Sequence, residues 1–125
     1  YLRPLYDALG DRLGGKKVRQ YIEDGTIEIA PVGFMRGRTL NNSFVVIDEA
    51  QNCTYAQLKM ILSRLGWHST MVVTGDPDQS DLLDGISGLS DIARRLETVP
   101  NIAVIRLNQK DIVRHPLVAE MLDVL

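Results

Sequence analysis

Phe44-Val45-Val46-Ile47-Asp48-Glu49-Ala50-Gln51 decides how this chain is read. Four apolar residues without alternation run into two adjacent carboxylates, then an alanine and a glutamine. An apolar run of this kind suits a parallel strand buried on both faces. Acids at the carboxyl end of such a strand emerge where α/β sheets bind ligands. This is the layout of a Walker B element. Asp48 would help hold Mg²⁺ through water, because Mg²⁺ dehydrates reluctantly, and Glu49 would polarise a water for attack on a γ-phosphate. The same residues also suit a buried strand with two solvated acids at its end, and the stretch alone leaves both readings open.

Working outward, Thr54-Tyr55-Ala56-Gln57 has the form of a capping box. Leu58, Ile61, Leu62 and Leu65 follow at the spacing of a helix packed by one face, with Gly66 as its stop. Trp67 and His68 close that helix and are expected to pack. Cys53 falls in the strand-to-helix loop, where a packed thiol is the expectation. Met71-Val72-Val73-Thr74 is a second apolar strand, and it runs into Gly75-Asp76-Pro77-Asp78-Gln79. Gly75 would let the backbone approach a ligand. Thr74, Asp76 and Gln79 would point at whatever Asp48 and Glu49 hold. Two apolar strands, each ending in acid and joined by a helix, make a βαβ unit with a right-handed crossover. The repetition favours a site over solvated acids.

Upstream, Phe34-Met35-Arg36-Gly37-Arg38-Thr39-Leu40 places two arginines around a glycine shortly before the first strand. Arg36 and Arg38 have the fork geometry that phosphate calls for, and a turn with solvated arginines fits the spacing as well. Leu2, Leu5, Tyr6, Leu9 and Leu13 mark an amino-terminal helix with Pro4 in its first turn and Gly14-Gly15 as its stop. Gly-Gly-Lys-Lys at 14–17 is no phosphate loop, because no strand precedes it and the spacing is wrong. Val18, Tyr21 and Ile22 suggest a second short helix ending at Asp24-Gly25. Thr26 to Ala30 reads as a brief strand or extended segment. Downstream, Ser80 to Gly88 reads as a surface loop. Leu89, Ile92, Ala93 and Leu96 mark a helix with Arg94 and Arg95 outward. Ile102 to Leu107 reads as a third strand, and Val118, Met121, Leu122 and Leu125 as a closing helix with Pro116 in its first turn.

The 125 residues amount to about one domain. Hydrophobic content of 45% and charged content of 24% are ordinary for a globular chain. The net charge of −2 provides no global basic field, so any nucleic-acid contact is local. No apolar run approaches the ~20 residues that span a bilayer, and no signal peptide opens the chain. The single cysteine suits a reducing compartment, so the expected location is the cytoplasm. A first residue of Tyr1 instead of Met points to an excised piece.

Four segments in order carry a resemblance. They are Met35-Arg36-Gly37-Arg38-Thr39-Leu40, Val46-Ile47-Asp48-Glu49-Ala50-Gln51-Asn52, Val72-Val73-Thr74-Gly75-Asp76, and Asp111-Ile112-Val113-Arg114-His115-Pro116-Leu117-Val118. Together they closely resemble the PhoH-like P-loop ATPases, over essentially the whole chain. The resemblance implies an α/β fold, a P-loop NTPase-like parallel sheet flanked by helices and related to the superfamily 1 helicase core. It also implies ATP and Mg²⁺ as ligands, and ATP hydrolysis with a role in RNA metabolism. Members include phosphate-starvation-inducible proteins, and some are fused to a nuclease domain. No GxxxxGK followed by Ser or Thr occurs here, so residues 1–125 resemble the carboxyl-terminal part of that domain, without its Walker A loop. Two smaller departures are the residues around Gln79 and Cys53, which stands where the family usually has threonine.

Carried over by position, the resemblance makes Asp48 the Mg²⁺-linked acid and Glu49 the base. Gln51 would lie near the γ-phosphate. Thr74, Gly75, Asp76 and Gln79 would form the sensor strand. Arg36 and Arg38 would meet nucleic acid or a neighbouring subunit's nucleotide, and Arg114 is a further arginine-finger candidate. Two alternatives stand beside this reading. One is a metal-dependent nuclease using Asp48, Glu49, Asp76 and Asp78. The other is a non-catalytic binding or oligomerisation module, of the kind that assembles into rings.

Overall fold

The computed structural model describes residues 2–79 and 88–125. The surface loop expected at 80–88 lies, apart from Gly88, outside the described residues. The chain divides into two compact units. The first joins Tyr1–Ile47 to Lys59–Val73, and the second joins Asp48–Leu58 to Thr74–Leu125. Among the described residues no helix is long and apolar enough to cross a membrane.

In the first unit, helix α1 spans Arg3–Leu13 with Pro4 in its opening turn, and helix α2 spans Gly15–Glu23. Both follow the apolar spacing read from the sequence, and Val18 of α2 is buried. Thr26–Ala30 forms no strand; Asp24 instead accepts a hydrogen bond from the Thr26 N–H at 2.9 Å, a local turn that competes with strand formation. A short 3₁₀ segment, Val32–Met35, precedes strand β1 at Phe44–Ile47. Strand β2 spans Thr70–Val73. The two pair in parallel, from Phe44 opposite Thr70 to Ile47 opposite Val73, the sole sheet among the described residues. Parallel strands need a crossover connection, and here it contains helix α3, Tyr55–Leu62.

The expectation that these strands are buried on both faces is corrected. Burial alternates, with Ile47 buried, Phe44 72% exposed, and Val46 and Val72 also exposed. Side chains on a strand point alternately to opposite faces, so one face of this pair is covered and the other is open. The helix expected to reach Leu65 also ends earlier. The Ser63 hydroxyl donates to the carbonyls of Lys59 and Met60 at 2.9 and 2.7 Å, and Leu65 is drawn into a parallel bridge with Leu40. Trp67 does not pack: its ring is 80% exposed.

In the second unit, Ala50, Gln51, Cys53, Leu58 and Ile92 are buried. Helix α4 spans Leu89–Leu96, with Arg94 and Arg95 outward and paired to Asp91. Gly88 precedes it, and a Cβ there would stand 2.4 Å from Tyr55 Cα, which is why a glycine is needed at that position. Ile102–Leu107 forms no strand, correcting the sequence expectation; Ile105 and Leu107 are exposed, and no described strand offers them a ladder. A 3₁₀ segment, Gln109–Asp111, leads to helix α5, Pro116–Val124. The apolar residues of α5 are present as expected, but none is buried among the described residues.

The capping box entering α3 is reciprocal. Thr54 Oγ1 accepts from the Gln57 N–H at 3.1 Å, and Gln57 Oε1 accepts from the Thr54 N–H at 2.9 Å. Two otherwise orphaned donors are thereby satisfied. Thr54→Ala is expected to lower stability to urea by about 1 kcal/mol, with Thr54→Ser restoring most of it in the same denaturation measurement.

Candidate functional site

The site is built from two segments that continue directly from the strands, Asp48 after Ile47 and Thr74 after Val73. Their backbones stay joined beyond the sheet, because the Ala50 N–H donates to the Thr74 carbonyl at 2.9 Å. The Thr74 hydroxyl donates to Asp48 Oδ1 at 3.0 Å. A fixed hydroxyl on one carboxylate oxygen sets the plane of the Asp48 head group.

Glu49 sits in the left-handed region, at φ 54° and ψ 43°. A residue with a side chain enters that region at a cost and holds it only where its surroundings dictate it. Here the Asn52 N–H donates back to the Glu49 carbonyl at 3.0 Å, closing the short 3₁₀ turn Ala50–Asn52. The backbone thus turns sharply at the second acid, and the Glu49 residue is exposed while Ala50 and Gln51 are buried.

Gln51 is 3% exposed. Its Nε2 donates to Glu49 Oε2, and its Oε1 accepts from the Asp76 N–H at 3.0 Å. Both ends of its amide are thus bonded within the chain. A Cβ on Gly75 would lie 2.7 Å from Leu89 Cδ2 and 2.8 Å from Gln51 Oε1, so the lack of a side chain lets this residue pack closely against both.

Asp76 organises the turn that follows. Its Oδ1 accepts from the Asp78 N–H and its Oδ2 from Gln79 Nε2, both at 2.9 Å. Gln79 and Asp76 are thereby brought together. No three His, Cys, Asp or Glu side chains among the described residues form a metal-holding group. A two-metal nuclease draws on such a group. Mg²⁺ bound beside a nucleotide needs only one or two carboxylates, with waters and phosphate oxygens completing the shell, and Asp48 oriented by Thr74 fits that demand. Cys53 is buried, and burial pushes its thiol up, away from reactivity.

The arginines separate. Arg38 is taken by Glu28, with Nη1 and Nη2 at 2.5 and 3.0 Å from the two carboxylate oxygens. Arg36 and Arg114 are exposed and make no ion pair among the described residues. Glu28 is a residue that local spacing did not single out, since its partner lies ten positions away. The only signal was an unassigned acid in the segment before the arginines.

The hydrogen bonds from Arg38, and then its charge, hold Glu28 below the usual glutamate range. A lowered folded value means the pair contributes above the ordinary glutamate pKa and is lost as pH falls through the lowered one. Both groups are solvated, so the effect is small. Glu28→Gln is expected to lower stability slightly near neutrality and to leave it unchanged in acid, where Glu28 is protonated in the folded and unfolded protein alike, so that a chemical-denaturation series shows the two proteins converging as pH falls.

Comparison with known proteins follows from these positions. A family model described as "PhoH-like protein" matches residues 1–125. The chain is 52% identical to a "PhoH-like protein" of Bacillus subtilis over 124 residues, 98% of this chain and 39% of that relative. It is 52% identical to a "PhoH-like protein" of Synechocystis over 124 residues, 98% of this chain and 38% of that relative. It is 47% identical to "Protein PhoH" of Escherichia coli over 120 residues, 94% of this chain and 34% of that relative. The chain therefore spans little more than a third of the curated relatives it matches.

Proposed function

This chain belongs to the PhoH-like protein family, and we propose on that footing that it carries the metal- and water-handling half of an ATP-hydrolysing site. The relation to P-loop NTPases and to the superfamily 1 helicase core is part of the same proposal. The phosphate cradle would come from residues outside this chain, since GxxxxGK followed by Ser or Thr is missing from it. One observation carries the reading: Thr74 and Asp48, each the first residue after a strand, meet at 3.0 Å.

In this reading Asp48 is the residue that would hold Mg²⁺, oriented by the Thr74 hydroxyl. When bound, Mg²⁺ offsets the charge on the phosphate oxygens. Glu49, exposed on its sharp turn, orients the attacking water and takes its proton. Gln79, tied to Asp76, senses the phosphate end of the nucleotide and transmits its state along the Thr74–Asp76 segment. Hydrolysis would serve RNA remodelling, in the cytoplasm, where a lone reduced cysteine is at home. Arg36 is the arginine available to a nucleic-acid backbone, whereas Arg38 would first have to leave Glu28. Arg114, exposed ahead of α5, would reach a neighbouring subunit's nucleotide in a ring. The nuclease alternative receives no support from the arrangement of the acids.

In the full-length protein, Glu49→Gln is expected to leave ATP binding nearly unchanged while hydrolysis falls by about 100-fold or more. Equilibrium binding and phosphate release measured on the same sample check this; unchanged hydrolysis removes Glu49 from the role.

A further inference from the structure

The Gln51 amide has one end that only donates and one end that only accepts, and both meet a partner of the required kind. Its NH₂ faces a carboxylate, Glu49 Oε2, and its carbonyl faces a backbone N–H, that of Asp76. The reverse orientation would set a carbonyl against a carboxylate and a donor against a donor. Leaving either partner unpaired beside a buried side chain is costly. The surroundings close on this amide: Gln51 is 3% exposed, and the missing Cβ of Gly75 leaves the space its Oε1 fills.

We infer that Gln51 is a positioning residue, a buried clamp that holds the Glu49 carboxylate in its working place and ties it to the Asp76 end of the second segment. This rests on the reading of Glu49 as the base, and it extends that reading from one side chain to the link between the two segments. In this role Gln51 acts through Glu49 and not as a ligand of the nucleotide. Its effect is therefore on turnover and not on affinity. A movement of the Gln79–Asp76 turn would reach Glu49 through this amide, since Oε1, bonded to the Asp76 N–H, and Nε2, bonded to the carboxylate, belong to one rigid planar group. Chemistry at residue 51 matters as much as shape. Methionine keeps the length and loses both bonds. Glutamate keeps the acceptor and sets a second negative charge against Glu49.

The test uses the full-length protein and ATP, with kcat, KM, equilibrium nucleotide binding and thermal melting read for each variant. Gln51→Met is expected to lower kcat by about 100-fold, the scale of a misplaced catalytic group, with KM and nucleotide binding nearly unchanged. Gln51→Glu is expected to lower kcat at least as far. In a Glu49→Gln background, Gln51→Met should cost little more, because residues acting as a unit are not additive. If Gln51→Met does not fold, Gln51→Glu, which keeps the length and shape of the side chain, carries the test and should give the same kcat-selective loss. A Gln51→Met protein that melts normally and turns over at the wild-type rate overturns the inference, as does a loss in nucleotide binding equal to the loss in kcat. The proposed function fails separately, by full hydrolysis in Glu49→Gln.

Discussion

The hydrogen bond from the Ala50 N–H to the Thr74 carbonyl, 2.9 Å long, is the tie on which the site depends. Ala50 is completely buried, so its N–H must find an acceptor inside the protein. The acceptor it finds belongs to the first residue after β2. Once that bond is made, Thr74 is beside Asp48, Gly75 is against Gln51, and the Asp76 N–H meets the Gln51 carbonyl. Glu49, immediately before Ala50, then has to turn in the left-handed region for the chain to continue into the Ala50–Asn52 segment.

The charges are arranged with the same economy. Asp48, Glu49 and Asp76 are held by neutral donors: a hydroxyl, an amide and backbone or glutamine N–H groups. Among the described residues no lysine or arginine pairs with any of the three. The arginines that do form ion pairs form them elsewhere, Arg38 with Glu28, Arg94 and Arg95 with Asp91, and Arg106 with Glu97. A carboxylate oriented by neutral dipoles keeps its attraction for a cation, whereas one already neutralised by arginine does not.

The parts legible in sequence were those governed by local rules. The apolar runs at 44–47 and 71–73, the capping box at Thr54, and the helices around Leu58 and Ile92 were read correctly because period and capping chemistry act over a few residues. The closeness of Asp48 and Thr74 followed from treating the strands as parallel neighbours. What escaped was set by partners distant in the chain. Glu28 claims Arg38 through a turn that no periodicity describes. The bonds that the buried Gln51 amide makes to Glu49 and to Asp76 depend on packing and are not readable from its place beside two acids. Ile102–Leu107 has the composition of a strand, but composition does not supply a neighbouring edge. The open face of Phe44, Val46 and Val72 was missed because an unbroken apolar run records no preference between faces.

Trp67 is the only tryptophan in the chain, and its backbone is pinned on both sides. Its N–H donates to Asn41 Oδ1 at 2.8 Å, and its carbonyl accepts from the Asn42 N–H at 2.9 Å. The indole, by contrast, stands in water. Its emission will therefore sit toward the red end of the tryptophan range in the native protein and shift little on denaturation. As an optical reporter the ring answers a different question from folding: because its anchor is fixed and its surface is bare, a blue shift would register whatever comes to lie over it.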